Sequence, residues 1–139
     1  MDLDKDLVDA IKGLKLVFTD KPQPDLLIKI PNKNRDVDYK VIIVTDEFTS
    51  LCPLNPSQPD YAKIDISYVP NEWLIELKSL KFYLVSFRMV ETFHEEVPAT
   101  ILRDLVALLS PKVIIVTGYF TIRGGIKTKV KAEYVKCGK

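Results

Sequence analysis

With 139 residues, 47% of them hydrophobic and 28% charged, the chain has the size and make-up of one globular domain with a real core. A net charge of +1 gives no whole-chain argument for nucleic acid or an anionic membrane, and no apolar run approaches the ~18 residues of a bilayer span. Met1-Asp2-Leu3-Asp4-Lys5-Asp6 is too acidic to open a signal peptide, so a cytoplasmic, reduced chain is expected.

Leu3, Leu7, Ile11 and Leu14 have the spacing of one helical face over residues 2–16, with Gly13 weakening the end. Lys21-Pro22-Gln23-Pro24 breaks that helix, Leu26–Ile30 fits a short strand, and Pro31-Asn32-Lys33-Asn34 turns the chain. Residues 1–36 therefore read as an extension that packs on a domain spanning 37–136.

Val37–Thr45 is rich in β-formers and leads into Phe48–Asp60, which holds Cys52, Asp60 and three prolines, at 53, 56 and 59. Proline has a fixed φ and no N–H, so this segment is expected to be a stiff loop that presents Cys52 and brings Asp60 back toward it. A free cysteine is usually a small hydrophobe. A nucleophilic one needs exposure, a rigid mount and a neighbour to manage its proton, and this loop offers all three. Cys137 reads as an incidental tail thiol. The only histidine is His94; with Cys52 and Cys137 it makes at most three ligands, without paired spacing, which argues against a zinc site.

Tyr61–Val69 alternates cleanly, with Ala62, Ile64, Ile66 and Tyr68 on one side, the pattern of an antiparallel strand with one wet face. Pro70-Asn71 ends it, and Asn71 is the expected N-cap of a helix, with Glu72 in its first turn. Trp73, Leu77, Leu80, Leu84 and Phe87 form one apolar stripe on that helix; Ile75, Phe82, Val85 and Met89 form a second. A helix apolar on two faces needs two covers, its own sheet and a neighbouring subunit. Glu76, Lys78, Ser79 and Lys81 lie between the stripes, and periodicity alone makes them a solvated face.

Pro98 fits the first position of a second helix buried through Ile101, Leu102, Leu105, Val106, Leu108 and Leu109, which Ser110-Pro111 ends. Glu95 and Glu96, in isolation, satisfy the dipole at its start. Val113–Thr121 and Ile126–Val135 are the last strands, joined by Ile122-Arg123-Gly124-Gly125, where Gly-Gly suits a tight turn with positive φ. Lys127, Lys129 and Lys131 make a basic stripe: edge lysines that oppose aggregation, or contacts to a polyanion. The order strand, strand, helix, helix, strand, strand predicts an α+β domain, a four-stranded antiparallel sheet with two helices on one face. Joining of such sheets into an oligomeric barrel would cover the other face.

Taken together, FTSLCP, QPDYA, ELKSLKFYLVSFR, FHEE and FTIRGG, in order over roughly residues 40–126, resemble the 7-cyano-7-deazaguanine reductases. These are the nitrile reductases of queuosine biosynthesis, here of the short single-module type within the tunnelling-fold superfamily. The most specific piece is Glu76-Leu77-Lys78-Ser79-Leu80-Lys81-Phe82-Tyr83. The resemblance implies a homo-oligomer, commonly two face-to-face pentamers, with active sites at subunit boundaries, and NADPH as cofactor. It implies Cys52 as the nucleophile that attacks the nitrile carbon to give a thioimide, and Asp60 as the acid/base. It implies Glu95, with His94 beside it, as the anchor of the deazapurine edge, and Glu76 as a second substrate carboxylate from another subunit. Lys78, Lys81 and Arg123 match positions for the NADPH phosphates; no Gly-rich dinucleotide fingerprint occurs.

Two departures stand out. The Cys52–Asp60 interval is one residue longer than usual, so the segment must bulge to keep its register, and the glycine usual before Gln-Pro-Asp is absent. Rival readings are an archaeosine synthase-like amidinotransferase, which attacks the same nitrile carried on tRNA without a hydride, and a non-catalytic oligomeric binding module.

Overall fold

The computed structural model describes residues 3–137. A four-stranded antiparallel sheet carries the molecule, in the order β2 (Val41–Cys52), β3 (Asn55–Val69), β5 (Val113–Phe120), β6 (Lys129–Val135). The period-two pattern of β3 is realised as read: Ala62, Ile64, Ile66 and Tyr68 are buried, and β5 adds Ile114, Val116 and Phe120 to the same core. Helices α2 (Leu77–Val85) and α3 (Glu96–Leu109) close that core through Leu80, Leu84, Ile101, Leu105 and Leu109. Each such side chain contributes about 1.5–3 kcal/mol by leaving water. Among the described residues no helix is long and apolar enough to cross a membrane.

The amino-terminal segment packs onto this body. Helix α1 (Lys5–Lys12) is capped by Asp4, whose Oδ1 accepts from Leu7 N at 2.8 Å. Strand β1 (Lys29–Pro31) pairs antiparallel with β4 (Trp73–Ile75). Buried Asn32 ties the following turn down: its Nδ2 donates to Asn71 O at 2.8 Å, and its Oδ1 accepts from Tyr39 Oη at 2.6 Å.

The β1–β4 ladder corrects the expected start of the first core helix. Asn71 is not an N-cap, because residues 73–75 spend their backbone groups on β1 and Ile75 N donates to Tyr68 Oη at 3.1 Å. The helix begins after Glu76, whose Oε1 accepts from Ser79 N at 2.7 Å and Oε2 from Lys78 N at 2.9 Å. Only part of the two-stripe reading survives. Ile75 is buried on a strand rather than on the helix, Leu77 and Met89 are exposed, and Tyr83 proves to be core. Tyr83 Oη donates to Asp104 Oδ2 at 2.5 Å, joining α2 to α3; burial, then the neighbouring carboxylate, push its phenol far above the ordinary tyrosine range.

The Phe48–Asp60 segment is likewise not a loop. Both arms are strand, and only Pro53-Leu54 form the turn, with Cys52 opposite Asn55. Prolines 56 and 59 are tolerated because this end of β3 extends past β5, whose last register partner there is Ala62, so no interior ladder needs their N–H. The register shifts between Leu51 and Cys52, from Leu51↔Pro59 to Cys52↔Asn55. That irregularity absorbs the lengthened interval. In α3, Pro98 is the third residue, not the first, and Ser110 (φ 44°) ends the helix.

Candidate active site

Cys52 ends β2, and its position is fixed from two sides. Across the hairpin, Ser50 stands opposite Asp60. On the other side Leu51 N donates to Val90 O at 2.9 Å, and Thr92 N donates to Leu51 O at 3.0 Å. These two bonds pull the segment before α3 alongside the cysteine. The result is a cavity of about 210 Å³ lined by Cys52, Asp60, Thr92, His94, Glu95 and Arg123, among others. Residues separated by up to 71 positions (52 to 123) meet there.

Asp60 is the electrostatic centre. Its side chain is only 3% exposed, its Oδ1 pairs with Arg123 Nη1, and its Oδ2 lies 3.4 Å from His94 Nε2. Thr49 Oγ1 donates to the Asp60 carbonyl at 2.9 Å and fixes the backbone. The His94 ring is stacked on Phe120, with centroids 4.0 Å apart and planes 6° from parallel. Glu95 directly precedes α3 but makes no capping hydrogen bond to it, so its exposed carboxylate is free to meet a ligand. Glu96, its neighbour, accepts from Thr92 Oγ1 at 3.3 Å. Cys52 is a half-buried free thiol in the same wall.

Glu76, Lys78 and Lys81 do not line this cavity. Glu76 borders an apolar groove of about 590 Å³ beside Ile11, Tyr39, Ile43 and Leu77. Lys81 lies on a second groove of about 220 Å³ between β2 and α2, walled by Ile43, Phe48, Leu80 and Leu84. Lys78 Nζ donates to Ile11 O at 3.1 Å. The eight singled-out residues thus divide into five at the Asp60 cavity and three on or just before α2.

A family model described as "QueF-like protein" matches residues 59–139. The chain is 51% identical over 108 residues to the NADPH-dependent 7-cyano-7-deazaguanine reductase of Thermomicrobium roseum, covering 78% of this chain and 84% of that one. It is 45% identical over 136 residues to the enzyme of that name from Neisseria gonorrhoeae (94% and 86% covered). Against the one from Bacteroides thetaiotaomicron it is 44% identical over 129 residues (93% and 85%). The chain belongs to the NADPH-dependent 7-cyano-7-deazaguanine reductase family. A crystal structure of the archaeosine synthase QueF-Like in the apo form shares the fold, with a TM-score of 0.64 at 24% identity over 71% of this chain and 96% of that one.

Sequence reasoning about this reductase-family chain missed two residues at the site. Phe120, which carries the His94 ring, read only as an apolar strand position; its place two residues after Gly118 and three before Arg123 was the available signal. Ser50 is fully buried two residues before Cys52, and its Oγ has no hydrogen-bond partner among the described residues. No spacing rule marks it.

Proposed function

We propose that this chain reduces the nitrile of 7-cyano-7-deazaguanine to the primary amine of 7-aminomethyl-7-deazaguanine, in queuosine biosynthesis, with NADPH as reductant. The observation that carries this reading is the convergence of Cys52, buried Asp60 and the uncapped carboxylate of Glu95 on one cavity. Cys52 sulfur, as thiolate, attacks the nitrile carbon; one C≡N π bond opens toward nitrogen, which takes a proton, and a C=N–H bearing sulfur results. Asp60 is the group placed to move that proton and to return one when sulfur leaves. Glu95 has two acceptor oxygens for a ring N–H and an exocyclic amine, a bidentate match to a guanine-like edge, with His94 beside it.

NADPH would supply one hydride each time it is bound, so two molecules used in turn would take the carbon from nitrile to amine. The residues present fit such a group: the β2–α2 groove gives an apolar wall, with the exposed Lys81 ammonium at its rim and Lys78 one helical turn away for phosphate. These lysines and Glu76 serve a Cys52 cavity in another subunit under this reading. Exposed Ile42, Val44, Leu77 and Val135, near the two free sheet edges and on α2, support joining of copies into a barrel, commonly of two pentamers. A reactive thiol and a reduced nicotinamide belong together in a reducing compartment, the cytoplasm.

The deciding experiment is a mass spectrum of the protein mixed with the free nitrile base, alongside NADPH oxidation in the same mixture. A covalent adduct that Cys52→Ala abolishes, with NADPH consumed by the wild type, is the expected result. An adduct that survives Cys52→Ala overturns the assignment of the nucleophile. Amidine formation on tRNA without loss of NADPH absorbance would instead mark an amidinotransferase.

A further inference from the structure

The resemblance gives Arg123 one task, a cofactor phosphate, yet in the folded chain its guanidinium is already engaged. Asp60 has almost no exposure, and a buried carboxylate without a counter-charge costs several kcal/mol. Arg123 is the full positive charge in contact with it, and among the described residues the only other ionisable contact is His94. The arginine reaches this place from a rigid mount. Arg123 N donates to Ile126 O at 3.0 Å and Ile126 N to Arg123 O at 2.9 Å, closing a turn through Gly124 (φ 57°) and Gly125 (φ 78°). Both glycines hold left-handed backbone that other residues adopt at a cost. The turn follows β5 where Thr121 N donates to Tyr61 O at 3.1 Å, one residue past Asp60. The same strand end therefore carries Phe120 under His94 and Arg123 against Asp60.

Resting on the nitrile-reductase reading above, we propose that Arg123 is a positioning residue for proton transfer. Its guanidinium holds Asp60 Oδ1, so that Oδ2 is turned toward His94 and the wall that carries Cys52. A guanidinium has five N–H donors, and the Arg123 side chain remains 38% exposed, so this task does not depend on a phosphate being present. It operates in the first covalent step, before any hydride is needed.

Cofactor-free adduct formation separates the two tasks. The rate of Cys52 adduct formation with 7-cyano-7-deazaguanine is followed by mass spectrometry without NADPH. The proteins compared are the wild type, Arg123→Met, Arg123→Lys, Asp60→Asn and the Arg123→Met/Asp60→Asn double variant. Misplacing a reacting group by about 1 Å costs on the order of 100-fold, and Arg123→Met is expected to lose that much. Arg123→Lys, which keeps the charge and guards against a simple folding defect, should recover part of it. In the Asp60→Asn background Arg123→Met should cost less than about twofold, because the two residues act as one unit. Wild-type adduct rates in Arg123→Met, with a raised KM for NADPH, overturn the proposal and return the arginine to the cofactor alone. Multiplicative losses in the double variant overturn it too, since a structural effect would not vanish with the carboxylate. A wild type that forms no adduct refutes the nitrile-reductase reading itself, and the proposal falls with it.

Discussion

The His94 imidazole lies flat against the Phe120 ring, centroids 4.0 Å apart, while its Nε2 comes within 3.4 Å of Asp60 Oδ2. One face of the ring is spent on the strand, and its edge is spent on the carboxylate, so both its tilt and its azimuth are set. Phe120→Leu keeps an apolar filler but removes the stacking face. The unfolding free energy should fall by about 1 kcal/mol. Stacked aromatic pairs are worth about 0.5–1.5 kcal/mol beyond area, so the adduct rate should drop several-fold. Calorimetry and adduct kinetics check the pair; a melting loss with an unchanged rate would reduce the stack to packing.

Gly118 controls the same ring from behind. A Cβ built there would stand 2.8 Å from Phe120 Cε2 and 3.2 Å from Pro98 Cγ, between the strand and the first turn of α3. Gly118→Ala should cost about 1–3 kcal/mol in urea denaturation through overpacking. Because Phe120 must yield, the His94 imidazole NMR resonances should shift as well. Full stability with unmoved His94 resonances would contradict the geometry.

Glu76 caps a helix in the structure and has a second task only under the proposed function, and side-chain length can separate the two. Its carboxylate caps α2 at 2.7 and 2.9 Å, and the proposed function also gives it a substrate contact in a neighbouring subunit. Glu76→Ala should lower stability by about 0.5–2 kcal/mol through loss of the cap. Glu76→Asp, an excellent cap with a shorter reach, should melt near the wild type but bind the nitrile base more weakly in a calorimetric titration. Equal affinity for Glu76→Asp would confine the residue to capping.

Ser50 supplies the opposite kind of test. Its hydroxyl is fully buried without a partner among the described residues, and an unsatisfied buried group of this sort costs about 1–3 kcal/mol. Ser50→Ala should therefore leave the denaturation midpoint unchanged or raise it. A clear loss of stability would mean that the hydroxyl has a hydrogen-bond partner in solution.

The strand assignments show what periodicity can carry. Alternation over Tyr61–Val69 predicted both the element and its buried face, because a side-chain period of two is a local property of extended backbone. Ile101, Leu105 and Leu109 were legible for the matching helical reason. The failures came where a distant segment satisfied the backbone first. Residues 73–75 looked helical until β1, more than 40 residues earlier, claimed them as a strand. The prolines of 53–59 looked like a loop because nothing in their own order says that this end of β3 has a neighbour on only one side.

By itself the sequence determined the residue types: a thiol in FTSLCP, an aspartate in QPDYA, the FHEE carboxylates and the helix-start lysines, enough to reach the family. Only the tertiary structure decided which of them meet. Cys52 and His94 come together through two backbone hydrogen bonds at Leu51, and Asp60 finds Arg123 because Ala62 pairs with Phe120, which sets Asp60 beside the turn that follows β5. Such contacts depend on register and burial, and a charge pair 63 residues apart leaves no mark in local spacing.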